Sequence, residues 1–152
     1  YGIPEFHQGA YKEDTWCLGS QYWARSPHVQ GYFARYGILL DMVGGKGATF
    51  YYEPYSARTA RSEMKKIWKK ANELGYGKYF IQQEGSEVID DHVYVNRIAR
   101  IPCVDIINYD PTCQTSSFGS YWHTLNDTME NIDRNTLKAV GQTVMDVIYN
   151  EK

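Results

Sequence analysis

GILLDMV, residues 37–43, is a continuous apolar run broken by a single acid, Asp41, and glycines 44, 45 and 47 follow it at once. Such a run forms a strand buried on both faces, as in a parallel sheet covered by helices on either side. The glycines then turn the chain sharply. An ionised carboxylate where a buried strand ends costs several kcal/mol unless it is paired or bound to a cation. The alternative for Asp41 is a cap on the glycine turn behind it.

The rest of the chain reads outward from this strand. Residues 48–52 alternate weakly and read as a strand, and 79–83 read as a further short one. Residues 103–108, CVDIIN, entered through Pro102, form a strand of high β-propensity. A short helix over 16–25 is stopped by Ser26-Pro27. The clearest helix covers 57–74, with Ala60, Met64, Ile67, Ala71 and Leu74 on one face and lysines 65, 66, 69 and 70 on the wet side. Ser56 is placed to cap its start and Gly75 its end. Acids open a short helix at 90–99. A last helix over 135–149, capped by Asp133, carries Leu137, Val140, Gly141, Val144 and Ile148 on one face. Residues 1–15 and 108–120 read as loops. Strands alternating with helices predict an α/β domain of three layers, helix–sheet–helix, with a mostly parallel central sheet. Functional loops should gather at the carboxyl ends of its strands.

Composition narrows the function classes. A chain of 152 residues, 43% hydrophobic, has enough apolar content for one globular core. The net charge is −2 and the basic residues are dispersed, which excludes an electrostatic nucleic-acid surface. No apolar run approaches the roughly 18–20 residues that span a bilayer. The three cysteines, Cys17, Cys103 and Cys113, lack CxxC spacing, so a structural zinc knuckle is not expected. Cys103 and Cys113 either pair or stay as free thiols. Fourteen tyrosines and four tryptophans exceed what a core needs, and some should line a surface or pocket.

Chemistry gathers in three places. Residues 121–133, YWHTLNDTMENID, set His123 between Trp122 and a hydroxyl, after a loop rich in Ser, Thr and Gly. A neutral imidazole there is a metal ligand or acid–base group, or else a plain surface histidine. Asp90 and Asp91 adjoin, and their like charges call for a metal or a shared proton, unless both merely face a helix amino end. His92 reads as a group that orients or caps its loop. Asp105, inside a strand, is either a second buried acid or an edge residue. One imidazole with carboxylates from separate loops is the usual make-up of a catalytic zinc site.

Taken in order, GILLDMVGG (37–45), VIDDHVYV (88–95), RIPCVDII (100–107) and WHTLNDTMENID (122–133) resemble the zinc-dependent aminopeptidase and glutaminyl cyclase superfamily. LGSQYWA (18–24) is similar to that family's helix after its catalytic acid pair. The resemblance runs from about Cys17 to the carboxyl terminus. It implies the zinc aminopeptidase-like fold, with residues 1–152 as the carboxyl-terminal part of one catalytic domain, incomplete at its amino end and inactive alone. It implies His123 as a zinc ligand, Asp41 and Asp90 as a hydrogen-bonded catalytic acid network, and Trp122 as a wall of the substrate pocket. In two-zinc aminopeptidases Asp41 is instead a second-metal ligand. Many cyclases carry histidine at the position of Asp105, so an oxyanion-stabilising role there is open, as is a role for Asp91. In the cyclase branch the acid pair falls upstream of Tyr1; in an aminopeptidase Glu13 and Asp14 become candidates for it.

The implied activity is zinc-dependent cyclisation of the N-terminal glutamine of peptides to pyroglutamate, with loss of ammonia. The runner-up is a two-zinc aminopeptidase, and a third reading is a non-catalytic binding domain on the same scaffold. The implied partner is a peptide beginning with glutamine, and the implied location is a bacterial cell envelope.

Overall fold

The computed structural model describes residues 15–151, so Glu13 and Asp14 lie outside the described residues. Eight of the named elements, in chain order, are α1 (Leu18–Arg25), β1 (Gly37–Asp41), β2 (Phe50–Tyr52), α2 (Pro54–Thr59), α3 (Arg61–Glu73), β3 (Phe80–Glu84), α4 (Asp91–Tyr94) and β4 (Cys103–Ile107). The helix α5 (Arg134–Tyr149) closes the domain. A π-helical turn, Val95–Ala99, extends α4, and a 3₁₀ turn, Met129–Asn131, precedes α5. Among the described residues no helix is long and apolar enough to cross a membrane.

β1 and β4 pair in parallel, in register from Gly37 opposite Cys103 to Asp41 opposite Ile107. β2 and β3 form a second parallel pair. The two pairs meet at one antiparallel bridge, Phe50 with Asn108, so they run in opposite senses. Thr49 secures this seam: its carbonyl accepts from the Tyr109 N–H at 2.8 Å, and its hydroxyl donates to the Tyr109 carbonyl at 2.8 Å. Helices cover both sides. α3 and α5 pack on each other and on Val104 and Ile106; α4 lies against β1 and β4 on the side of Asp105.

Several expectations are corrected. β4, not β1, is the strand buried throughout; β1 has one paired neighbour among the described strands and Leu40 is 45% exposed. The apolar run therefore reports a strand, while its burial depends on what lies along its free edge. The helix expected over 57–74 is two helices broken at Ala60, whose ψ of 43° leaves the α region. Glu53 caps the first, where Ser56 was expected. The buried face of α5 is Thr136, Ala139, Val140, Thr143 and Val147, rotated from the predicted stripe, with Leu137 and Ile148 exposed. Two threonines sit inside because one returns its hydroxyl to the helix, Thr143 to the Ala139 carbonyl at 2.7 Å, and the other faces Asp133. The helix expected over 90–99 is α-helical for four residues only.

Trp68, fully buried and absent from the predicted stripe, joins the layers. Register shifts between Phe50 and Tyr52 in the β2–β3 pair, and the Trp68 indole N–H lies 3.1 Å from both the Phe50 and Ile81 carbonyls. Its ring packs edge-on against Phe80. Trp68→Phe keeps most of the volume but leaves those carbonyls without the indole donor. In denaturant unfolding of the full protein it should cost about 2–4 kcal/mol. A loss below about 0.5 kcal/mol, the range of ordinary surface changes, would remove Trp68 from this role.

Candidate active site

The parallel register of β1 and β4 brings the loops behind both strands out at one edge. The first loop begins with Asp41 and Met42; the second runs from Asn108 through Trp122 and His123. Backbone bonds stitch the two together. Asp133 donates to the Gly44 carbonyl at 2.8 Å, and Lys46 to the Asn131 carbonyl at 2.8 Å. Gly45 lies so close to Tyr121 that a Cβ there would collide with the phenol oxygen. Absence of a side chain at 45 is therefore what lets the turn carrying Trp122 and His123 dock.

His123 sits in that turn at φ 56°, and Trp122 stacks on its imidazole with ring centroids 3.9 Å apart and an interplanar angle of 16°. Phe118 backs the indole at 5.0 Å. Of the four described non-glycine residues at positive φ, Cys17, Met42 and His123 belong to or adjoin this cluster. Each costs of order 1–2 kcal/mol, and such strain gathers at functional sites because surrounding contacts over-determine it.

Asp90 reaches the same place from the other direction, as the N-cap of α4, its carboxylate accepting from the Asp91 N–H at 2.6 Å. Asp90 thus caps α4 while lying beside the other acids. Asp90 shares a hydrogen bond with Asp41, which also accepts from the Met42 N–H and feels the charge of His123. Burial raises Asp41 above its ordinary value. Burial, then the charges of Asp41 and Asp91, push Asp90 up to about 6. One proton shared between two carboxyls relieves the repulsion that both ionised would bring.

Asp91 is held by the Ser20 hydroxyl of α1. Cys17 lies behind it, its thiol 3.9 Å from Asp90 and pushed up to about 12 by burial and by Asp91 and Asp90. Asp105 is the buried acid of its two alternatives, driven well above the ordinary carboxyl range by burial and neighbouring acids. Cys103 is buried in β4 and Cys113 lies in the loop beyond; both are free thiols. His92 is not at the rim of its loop but fully buried, between Glu53 and Asp105. Sequence reading passed over Glu53 and Cys17. The Glu-Pro pair opening α2 was the available signal for Glu53, since proline favours a first helical turn and the acid before it a cap.

The donor set suits part of a zinc shell. His123 offers an imidazole and Asp41 a carboxylate, types that zinc accepts, whereas a catalytic zinc takes three protein ligands. Cys17, Asp90 and Asp91 place donor atoms within 4.8 Å of one another. Without a metal, burial and the charges of Asp91 and Asp90 keep the Cys17 thiol protonated.

The pattern of peptidase family M28 matches residues 10–148. The chain is similar to the solved structures of Tannerella forsythia glutaminyl cyclase (63% identity, TM-score 0.92) and Bacteroides thetaiotaomicron glutaminyl cyclase bound to N-acetylhistamine (57%, 0.93). It is also similar to a zinc-dependent exopeptidase from Parabacteroides distasonis (58%, 0.92). The alignments cover 100%, 100% and 99% of this chain but 52%, 51% and 51% of those chains, so it spans about half their length.

Two outcomes follow from the geometry. Gly45→Ala should displace Tyr121 and with it the Trp122–His123 turn; turnover by the full protein should fall roughly 10- to 100-fold, and unchanged rates would show that the turn docks without this contact. The raised acid has a definite sign for stability. Asp90 ordinarily titrates at 3.8 and in the fold at about 6, so its stabilising contribution is complete below 3.8 and lost as pH rises through about 6. Asp90→Asn should therefore raise the melting temperature most above about pH 6, the gain fading toward about pH 4. A gain independent of pH would contradict the assignment.

Proposed function

This chain belongs to peptidase family M28, and we propose that the protein containing it is a zinc-dependent glutaminyl cyclase acting on peptides with N-terminal glutamine. The observation that carries the reading is the Asp41–Asp90 pair. Asp41 is hydrogen-bonded to Asp90, a second buried carboxyl pushed up to about 6, which suits an acid network better than a carboxylate reserved for a second metal.

In this reading His123 is one zinc ligand and Trp122, braced by Phe118, packs against the substrate. Bound zinc supplies a Lewis acid toward the side-chain amide carbonyl of the glutamine. Cyclisation forms a bond from the α-amine nitrogen to the amide carbon and breaks the bond from that carbon to the leaving nitrogen. One proton must pass from amine to ammonia. Asp41 and Asp90 steady the carboxylate that carries it, because a protonated partner keeps its charge from being repelled. The same reading places the protein in a bacterial cell envelope.

A two-zinc aminopeptidase is the second reading. Asp41 lies within electrostatic reach of His123, as a ligand of a second metal would, and the similar Parabacteroides distasonis protein is named an exopeptidase. The two separate on activity and metal content. The full protein should release ammonia from a glutaminyl peptide without cleaving aminoacyl anilides, and contain one zinc that His123→Ala removes. Asp41→Asn should lower the rate more than the zinc content. Anilide hydrolysis alone, with two zincs of which Asp41→Asn loses one, would assign the aminopeptidase.

A further inference from the structure

Behind the acid pair lies a buried polar group that the reaction as described does not use. Glu53 is 2% exposed, and four donors converge on its carboxylate. Oε1 accepts from the N–H groups of Tyr55 at 2.9 Å and Val88 at 3.2 Å; Oε2 accepts from the Ser56 N–H at 2.6 Å and lies 3.1 Å from His92 Nε2. Burial pushes this carboxyl up, but the bonds from His92, Ser56 and Tyr55 outweigh it and hold Glu53 below its ordinary value. A carboxylate only accepts, so His92 Nε2 carries the proton of their bond.

Two of these donors are the amides that a helix cap needs. The other two come from the segment that bears Asp90: Val88 lies two residues before it and His92 two residues after. Residues 85–89 carry no regular secondary structure. They leave β3, which runs opposite to β1, and must bring Asp90 to the carboxyl end of β1. Asp105 lies on the far side of His92. Asp105 Oδ2 lies 3.4 Å from His92 Nδ1, and the Asp105 N–H donates to the Ser56 hydroxyl at 3.0 Å. Glu53, Ser56, Asp105 and His92 thus form one buried polar cluster, in which His92 Nδ1 and the Asp105 carboxyl face each other without a hydrogen bond. Capping a helix alone would not need a carboxylate in the interior, since an exposed Ser or Asp serves as well.

We propose that Glu53 is a positioning residue: through Val88 and His92 it clamps the chain on both sides of Asp90 and so sets that carboxyl against Asp41. This rests on the reading of Asp90 as part of the acid network of the reaction.

The test uses the full protein with Glu53→Gln, His92→Gln and His92→Asn. Glutamine at 92 puts an amide nitrogen about where Nε2 sits and keeps the bond to Glu53; asparagine is too short to do so. Steady-state kinetics on a glutaminyl peptide are measured together with hydrogen exchange over residues 86–92. Glu53→Gln and His92→Asn should lower kcat about 10- to 100-fold with KM little changed, and speed exchange in 86–92. His92→Gln should recover most of both. Equal losses in the two His92 variants, tracking their melting temperatures, would reduce the Glu53–His92 contact to packing. Unchanged kcat in a folded Glu53→Gln would overturn the proposal while leaving the cyclase reading intact. If the wild type does not cyclise glutaminyl peptides, that reading fails, and the exchange contrast between the two His92 variants still decides the clamp.

Discussion

The parallel pairing of β1 with β4 is the constraint on which the site depends. In parallel strands the carboxyl ends lie together, so the chain leaving Asp41 and the chain leaving Ile107 emerge side by side. The first makes a tight glycine turn; the second wanders through residues 108–133 before α5 begins. The antiparallel contact of Gly45 with Ile132 then closes the two loops on each other. Slipping this register by one residue would turn Asp105 toward the apolar core of Val104 and Ile106 and break the site and the fold together.

Charge is the second organising force. Asp90, Glu53, Asp41 and Asp91 all raise the buried Asp105, and Asp41 and Asp90 act on each other. Water does not solvate such a group freely, so the fold has three means of bearing it. Asp41 and Asp90 hydrogen-bond to each other and are both raised, Asp105 is driven toward its neutral acid, and Glu53 keeps its charge because four donors surround it. Imposing different environments on like side chains is how one fold obtains both proton holders and fixed charges.

Strain and small residues serve the same end. Met42 and His123 hold left-handed backbone where glycine would be easier, and Gly45 keeps open the space Tyr121 fills. These features concern where side chains point rather than whether the chain folds. They lie on loops carried by a firm scaffold, where binding and catalytic groups commonly reside.

Alternating apolar runs and amphipathic stretches determined the α/β class, four strands close to their observed places and the helices α1 and α5 nearly to the residue, because period and punctuation are local properties. Asp41, Asp90 and His123 were legible as candidates, since an acid ending an apolar run and a histidine in a turn-rich loop are locally conspicuous. What depended on distance in space was not legible. β4 rather than β1 became the fully buried strand because its neighbours on both sides come from remote parts of the chain. The face of α5 rotated because buried threonines satisfied their hydroxyls within the helix and on Asp133. Glu53 was passed over and His92 looked like a loop residue, and 39 positions separate them. The sequence by itself determined which segments are strands and helices and which acids stand out. Only the tertiary structure decided which acids are raised toward their neutral form and which keep a charge, because ionisation follows from burial and from donors that distant segments bring together.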